Sequence, residues 1–322
     1  MNIILVEFII YCLIIMAIGY YFSKQSQSQS DFLLGGKKLP GWALAFSERA
    51  TGESAWLLLG YTGFVFTAGL SGVWVAAGIA SGILFSWMFL AKRFKDEAEK
   101  YNALTLPDYL AKRFGQKAKM IRWLAGILIG GFLMFYVGAQ MAGAGKMLLT
   151  TFDFPPVYGV VLSAVVIVAI AFAGGFISVV WTDMIQSVMM VITLVVLPIV
   201  AFTYIFANDI SVSAALVDAG PTFGSWFGGV TGFSLGVLFF TNFSWFFGFL
   251  GGQPQLSARF MALRNDKEVK QGRNVAVIWT FLAYTGAFLI GIAAIALYDQ
   301  GSFADVETIL PTMILQFMPP WI

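Results

Sequence analysis

Residues 42–66 read Trp42-Ala-Leu-Ala-Phe46, then Ser47-Glu48-Arg49-Ala50-Thr51-Gly52-Glu53-Ser54, then Ala55-Trp56-Leu-Leu-Leu-Gly60 and an apolar run to Phe66. Two apolar flanks enclose a small, polar, charged octet. At about 1.5 Å per residue, a helix of this length crosses a hydrocarbon core of roughly 30 Å and puts the octet near mid-membrane. Ionisable groups there cost roughly 2.5–3.5 kcal/mol each, so they belong against a cavity, a partner or a ligand. Gly52 among Ser and Thr marks where the helix can unwind, and freed carbonyls are tolerable only where they line a cavity. A broken helix with carbonyls and hydroxyls at mid-membrane is how secondary transporters hold a cation beside a solute.

The composition agrees. Of 322 residues, 59% are hydrophobic and 11% charged, against about 25% charged in soluble domains, so the chain is an all-α polytopic membrane protein. A net charge of +2 gives no case for nucleic acid as a partner. There is no histidine, which removes the usual metal ligand and general base, and the single cysteine, Cys12, excludes an internal disulfide. Gly35-Gly36-Lys37-Lys38 reads as a basic loop, not a phosphate cradle. No organic cofactor, no metal cluster and no enzyme activity are expected.

About eight transmembrane helices follow from the hydropathy: 2–22, 42–66, 73–91, 121–149, 157–174, 178–206, 229–256 and 274–298, with a tail over 299–322. The first lacks a basic leader and a cleavage site, so it reads as a retained helix. Residues 106–115 read as a short surface helix ended by Gly115. Lysine and arginine orient the stack. Loops 23–41, 92–122 and 257–273 carry three, nine and five, while the alternate connections carry none. The positive-inside rule then makes those three loops cytoplasmic and the N-terminus external, in a cell membrane.

Span 229–256 repeats the oddity of the first stretch. It has Thr241-Asn242 and Ser244 at its centre and a Gly251-Gly252-Gln253-Pro254 break toward its end. Interrupted spans in matching positions of two halves point to the binding site of an inverted-repeat transporter. The first repeat then covers 42–206, preceded by one extra helix, and the second, 229–322, is incomplete.

The motifs Asp31-Phe-Leu-Leu-Gly-Gly36, Asn102-Ala-Leu-Thr-Leu-Pro-Asp-Tyr109, Gly174-Gly175 followed by Trp181-Thr182-Asp183 and Gln186, and Gly252-Gln253-Pro254 followed by Ala258-Arg259-Phe260-Met261 span nearly the whole chain. In them the chain resembles the sodium:solute symporters, closest to the sodium/proline group. The resemblance implies a neurotransmitter–sodium symporter-like fold. It implies a sodium site built from carbonyls of the first broken helix, here Ala50 and Glu53, and from oxygens of a helix beginning past Ile322. The chain thus looks like the N-terminal two-thirds of a transporter. Where the proline transporters place an aspartate, this chain has Gly52, with the acid one residue later. A family tyrosine aligns with Phe249 or Leu250.

The expected function is sodium-coupled import of a small organic solute, most plainly proline or a similar amino acid, by alternating access. The alternatives are the same fold carrying pantothenate, a sugar or sialic acid, or a sensor domain of a signalling protein. Sodium candidates are Ala50, Glu53 and Asp183; the resemblance sets Asp183 on the sodium exit path or at a second sodium site, with Gln186 one turn on and on the same face. The Glu53 carboxylate could balance the cation or pair with Arg49 at i,i+4. Solute candidates are Ser54, Trp56, Tyr136, Gln140, Trp245 and Phe249, because an amino acid needs polar groups for its termini and apolar walls for its ring. Gate or hinge candidates are Glu48, Arg49, Gly52, Gly251, Gly252 and Pro254. Gly138 with Ala142 reads as a close helix contact.

Overall fold

In a bilayer the backbone finds no partner but itself, so each apolar run closes its own hydrogen bonds as a helix. The computed structural model describes residues 3–24 and 28–319, and every regular element among them is helical. Residue 2 of the expected first span, residues 25–27 of the first basic loop and the last three residues of the tail lie outside the described residues. Helix α1 (Ile3–Ser23) is the extra front helix. Short α2 (Gln29–Leu34) follows, with Ser28 and Asp31 forming a capping box.

The first interrupted span consists of α3 (Gly41–Ala55), a π-helical segment Trp56–Tyr61 and α4 (Thr62–Ala68). The next, α5 (Val73–Phe85), passes through Ser86–Leu90 into α6 (Ala91–Lys100). The helix therefore runs past its expected end at 91. Its polar end is held by ion pairs, with Lys95 buried and 2.7 Å from Asp96. Surface helix α7 (Leu106–Phe114) starts at the Thr105 cap, and α8 (Ala118–Phe152) is the next long span.

Two spans joined by 175–177 were expected over 157–206. The joint contracts to one residue inside α9 (Pro156–Ala207), Gly175, at φ 57 and ψ −148. Only glycine takes that conformation without strain, and a Cβ there would also strike Phe32. Both arms rest on α1: Ile170 packs on Gly19, and Ser178 Oγ donates to the Gly19 carbonyl at 2.9 Å. After α10 (Val212–Ala219) come α11 (Phe233–Phe243), α12 (Trp245–Phe249) and α13 (Pro254–Ala262), bent by 42° at the break. This second interrupted span is shifted toward 262 because Pro254, lacking an N–H, starts a new helix at no cost. Helices α14 (Asp266–Leu297) and α15 (Ile309–Phe317) complete the described chain.

Helix α14 is the central post. It packs on α3, α4, α5 and α9. Ala276, Ala283, Ala287, Ala293 and Ala294 are fully buried on it, and Gly286 sits against the Leu194 carbonyl. Small residues let the backbones approach, as membrane packing requires. By contrast, Gly138 meets no neighbouring helix among the described residues, so the close contact expected there is absent.

The three basic stretches share one face. Lys37 lies 3.5 Å from Glu99, and Lys92 pairs with Asp266. The alternate connections gather on the opposite face, where the Leu70 N–H donates to the Phe223 carbonyl at 2.9 Å and Gln300 Nε2 to the Phe66 carbonyl at 3.2 Å. Helix α3 starts at the basic face, its Gly41 N–H donating to Glu268. The segment entering α11 starts at the opposite face, where Trp74 Nε1 donates to the Trp226 carbonyl at 2.8 Å. The two interrupted helices run in opposite directions.

Candidate functional site at two facing helix breaks

The first break falls at Ser54, two residues past Gly52. Ser54 has φ 47 and ψ −151 inside α3, a region that costs a non-glycine residue on the order of 1–3 kcal/mol. Helix α8 supplies what the break frees. Tyr136 Oη donates to the Thr51 carbonyl at 2.6 Å. Gln140 Oε1 accepts from the Ala55 N–H at 3.1 Å, and its Nε2 donates to Ser54 Oγ at 3.1 Å. Tyr136 and Gln140, one turn apart, splint the broken backbone from outside.

The second break, Leu250–Gln253, faces the first. Gly251 there has φ 102. Trp56 stacks on Trp245, with ring centroids 4.7 Å apart and planes 13° from parallel. Between the breaks lies a cavity of about 520 Å3. Gly52, Ser54, Trp56, Tyr136, Gln140, Trp245, Phe249, Gly252 and Pro254 line it, together with Gln253 and Gln255. All six solute candidates therefore meet at one cavity. Gln253 and Gln255 were missed as lining residues. Gln253 stood in the quoted Gly-Gly-Gln-Pro motif, and its amide was overlooked there beside the hinge.

The ionisable groups form two separate clusters. On one side of α3, Asp183 Oδ2 accepts from Ser47 Oγ at 2.6 Å, Thr51 Oγ1 at 3.2 Å and Arg259 Nη2 at 3.1 Å. Arg259 also donates to Ser47 Oγ and Thr51 Oγ1, at 3.2 and 2.8 Å. Arg259 was counted among the charges of loop 257–273. It instead sits in α13, 7% exposed. A basic run gives no composition signal for the member that turns inward; only its place in the Ala258-Arg259-Phe260-Met261 motif sets it apart. Gln186 lies against Tyr11 of α1.

Toward α14 and α5 lies the other cluster. Arg49 donates to both oxygens of Glu48 and, at 2.8 Å, to Glu53 Oε1. Tyr284 donates to Glu53 Oε2, and Trp87 Nε1 to Glu48 Oε2 at 3.0 Å. Of the two fates left open for the Glu53 carboxylate, this geometry has the pair with Arg49. The Glu53 carboxylate and the Asp183 carboxylate do not share a cluster. Ala50 is buried, one turn before the break. The Glu53 carbonyl accepts from the Trp56 N–H across it.

A family model described as "Sodium:solute symporter family" matches residues 32–322. The chain is 35% identical over 298 residues to the high-affinity proline transporter PutP of Bacillus subtilis, covering 91% of this chain and 62% of that protein. It is 33% identical over 296 residues to a sodium/proline symporter of Haemophilus influenzae, covering 90% and 58%. The chain thus spans about three-fifths of the length of these curated relatives. Among solved structures, a Na+-coupled sialic acid symporter in a substrate-bound, outward-open state matches with a TM-score of 0.77 at 22% identity, covering 98% of this chain and 67% of that one. That likeness establishes the inverted-repeat transporter fold.

Proposed function

The chain belongs to the sodium:solute symporter family, a family of membrane transporters and not of enzymes, and on that premise we propose that it carries the coupled cation and solute sites of a sodium-driven amino-acid importer, with proline as the solute. One observation carries the reading: two oppositely directed helix breaks face each other across a cavity with aromatic walls and a few polar groups. Apolar walls with convergent polar atoms are what a small amino acid requires. The relatives named as proline transporters support the choice of solute.

In this proposal sodium binds at the break of α3, to the carbonyls of Ala50 and Glu53, and passes by Asp183. Oxygen donors of this kind suit a hard monovalent cation. Solute lies beside it in the cavity, against the stacked Trp56–Trp245 pair, with Phe249 as the floor and Ser54, Tyr136 and Gln140 as polar contacts. For that, Tyr136 and Gln140 exchange their backbone partners for the solute's termini. Glu48 and Arg49 belong to the gate, and Gly52, Gly251, Gly252 and Pro254 to the hinges. Residues 42–206 form one repeat and 229–322 the start of the second. The basic face is cytoplasmic by the lysine and arginine bias, and the N-terminus external.

The test is uptake of labelled proline into proteoliposomes holding the protein as its gene encodes it. Uptake driven by an inward sodium gradient and abolished by choline replacement is expected. Uptake indifferent to that replacement contradicts the coupling, and sodium-driven uptake of a different solute alone contradicts proline.

A further inference from the structure

Along α3 the acidic side chains, counted as ionised, outnumber the basic ones. Glu48, Glu53 and Asp183 are three carboxylates; Arg49 and Arg259 are two guanidinium groups. In the Arg49 cluster, Glu48 and Arg49 are 1% exposed and Glu53 is fully buried. Asp183 is matched by Arg259, so the surplus negative charge belongs to Glu48 and Glu53, which share the single cation Arg49. Nothing else facing this cluster supplies a positive charge among the described residues. Helix α14 presents the neutral hydroxyl of Tyr284, the Ser86–Leu90 segment presents the Trp87 indole, and α12 presents the Phe249 ring, 6.0 Å from the Arg49 guanidinium carbon.

The oxygens are all engaged as well. Both Glu48 oxygens accept from Arg49, and one also accepts from Trp87; one Glu53 oxygen accepts from Arg49 and the other from Tyr284. Neither carboxylate has an open side from which to grip an ion. An isolated charge in a low-dielectric interior is costly unless an opposite charge answers it. The cluster lies on the same helical turn as the Ala50 and Glu53 carbonyls at the break.

We propose that the surplus charge of the Glu48–Arg49–Glu53 cluster, held in place by Tyr284 and Trp87, is the counter-charge of the single monovalent cation taken up at the α3 break, acting through space without coordinating it. The charge of Glu48 and Glu53 then sets sodium affinity, while Tyr284 and Trp87 only hold the cluster in place. This rests on the sodium reading above and adds where the compensating charge resides, now that Gly52 carries none.

The experiment titrates the purified full-length protein with NaCl at constant ionic strength, made up with choline chloride, and follows thermal stability. Proline binding at saturating sodium is measured in parallel. Glu53→Gln keeps the shape and removes the charge. It is expected to raise the half-saturating sodium concentration at least tenfold, leave proline affinity at saturating sodium within about twofold, and be largely rescued by Glu53→Asp. Tyr284→Phe removes one hydrogen bond to the same carboxylate but keeps its charge, and is expected to change sodium affinity less than threefold. A purely structural role would move both variants alike and would overturn the proposal, as would an unchanged sodium response in Glu53→Gln. Should Glu53→Gln fail to fold, Glu48→Gln removes the same surplus charge and carries the same expectation. A wild-type protein with no sodium response overturns the sodium reading itself, a result distinct from a responsive wild type with an unaffected Glu53→Gln.

Discussion

Trp56 and Trp245 stack across the cavity, 4.7 Å between ring centroids and 13° from parallel. One belongs to the π-helical segment after the first break, the other to the short helix before the second. Each sits where its helix loses regular geometry. Aromatic pairs contribute about 0.5–1.5 kcal/mol beyond their burial. Trp245→Ala is therefore expected to weaken proline binding by roughly two- to tenfold, with Trp245→Phe retaining most of the affinity. Equilibrium binding of labelled proline measures this.

The strain at Ser54 predicts an inverted order of substitutions. Ser54→Gly relieves a backbone that only glycine adopts freely, while Ser54→Ala keeps the strain and loses the Gln140 bond. Ser54→Gly should be the more stable of the two by about 1–3 kcal/mol. Thermal unfolding in detergent compares them, and equal stabilities would argue against a strained break.

Tyr136→Phe should leave the Thr51 carbonyl without its hydroxyl donor, and Gln140→Leu should leave the Ala55 N–H without its acceptor. Loss of a partner costs a fully buried backbone group about 1–3 kcal/mol, and these half-buried groups lie at or below the lower end. Hydrogen exchange at residues 51–56 is expected to rise in both variants, and more in the double variant than in either alone.

Buried Arg259 pairs with the largely enclosed Asp183. Removing one partner leaves the other uncompensated, at a cost of about 3–5 kcal/mol, whereas replacing both is far milder. Arg259→Met is thus expected to be less stable than Arg259→Met combined with Asp183→Leu. A double-mutant cycle on unfolding midpoints checks the order.

On the face opposite the basic one, Lys146 of α8 lies 2.7 Å from Asp305 and also pairs with Glu307. The Lys146 hydrogen bond holds the Asp305 carboxyl below the ordinary aspartate value. A lowered value means that the pair's contribution is complete above about pH 4 and is lost as pH falls through the lowered value. Residues 299–308 should lose hydrogen-exchange protection, corrected for intrinsic rates, only below about pH 4. Lys146→Ala should lose it already at neutral pH.

How much of this was readable beforehand follows from where each cause lies in the chain. The octet Ser47–Ser54 announced a break because charge at mid-membrane has a steep local cost. Its position did not follow from Gly52, because Tyr136 and Gln140, more than 80 residues downstream, supply partners around Ser54. The Gly251-Gly252-Gln253-Pro254 break was legible because glycine and proline act on their own backbone. Tyr284 and Trp87 carried no sign of their roles; as ring residues in apolar helices they read like packing until the fold brought them to Glu53 and Glu48. Gly175 showed as a joint, but that one residue suffices depends on Phe32 and α1 packing against it.

The central claim is that one broken helix serves both ligands, so each must strengthen the other's binding by the same factor. The most direct measurement is the proline dissociation constant across a range of sodium concentrations, paired with the sodium dissociation constant across a range of proline concentrations. The account predicts equal factors, on the order of 5- to 150-fold. Proline affinity that does not change with sodium would contradict it.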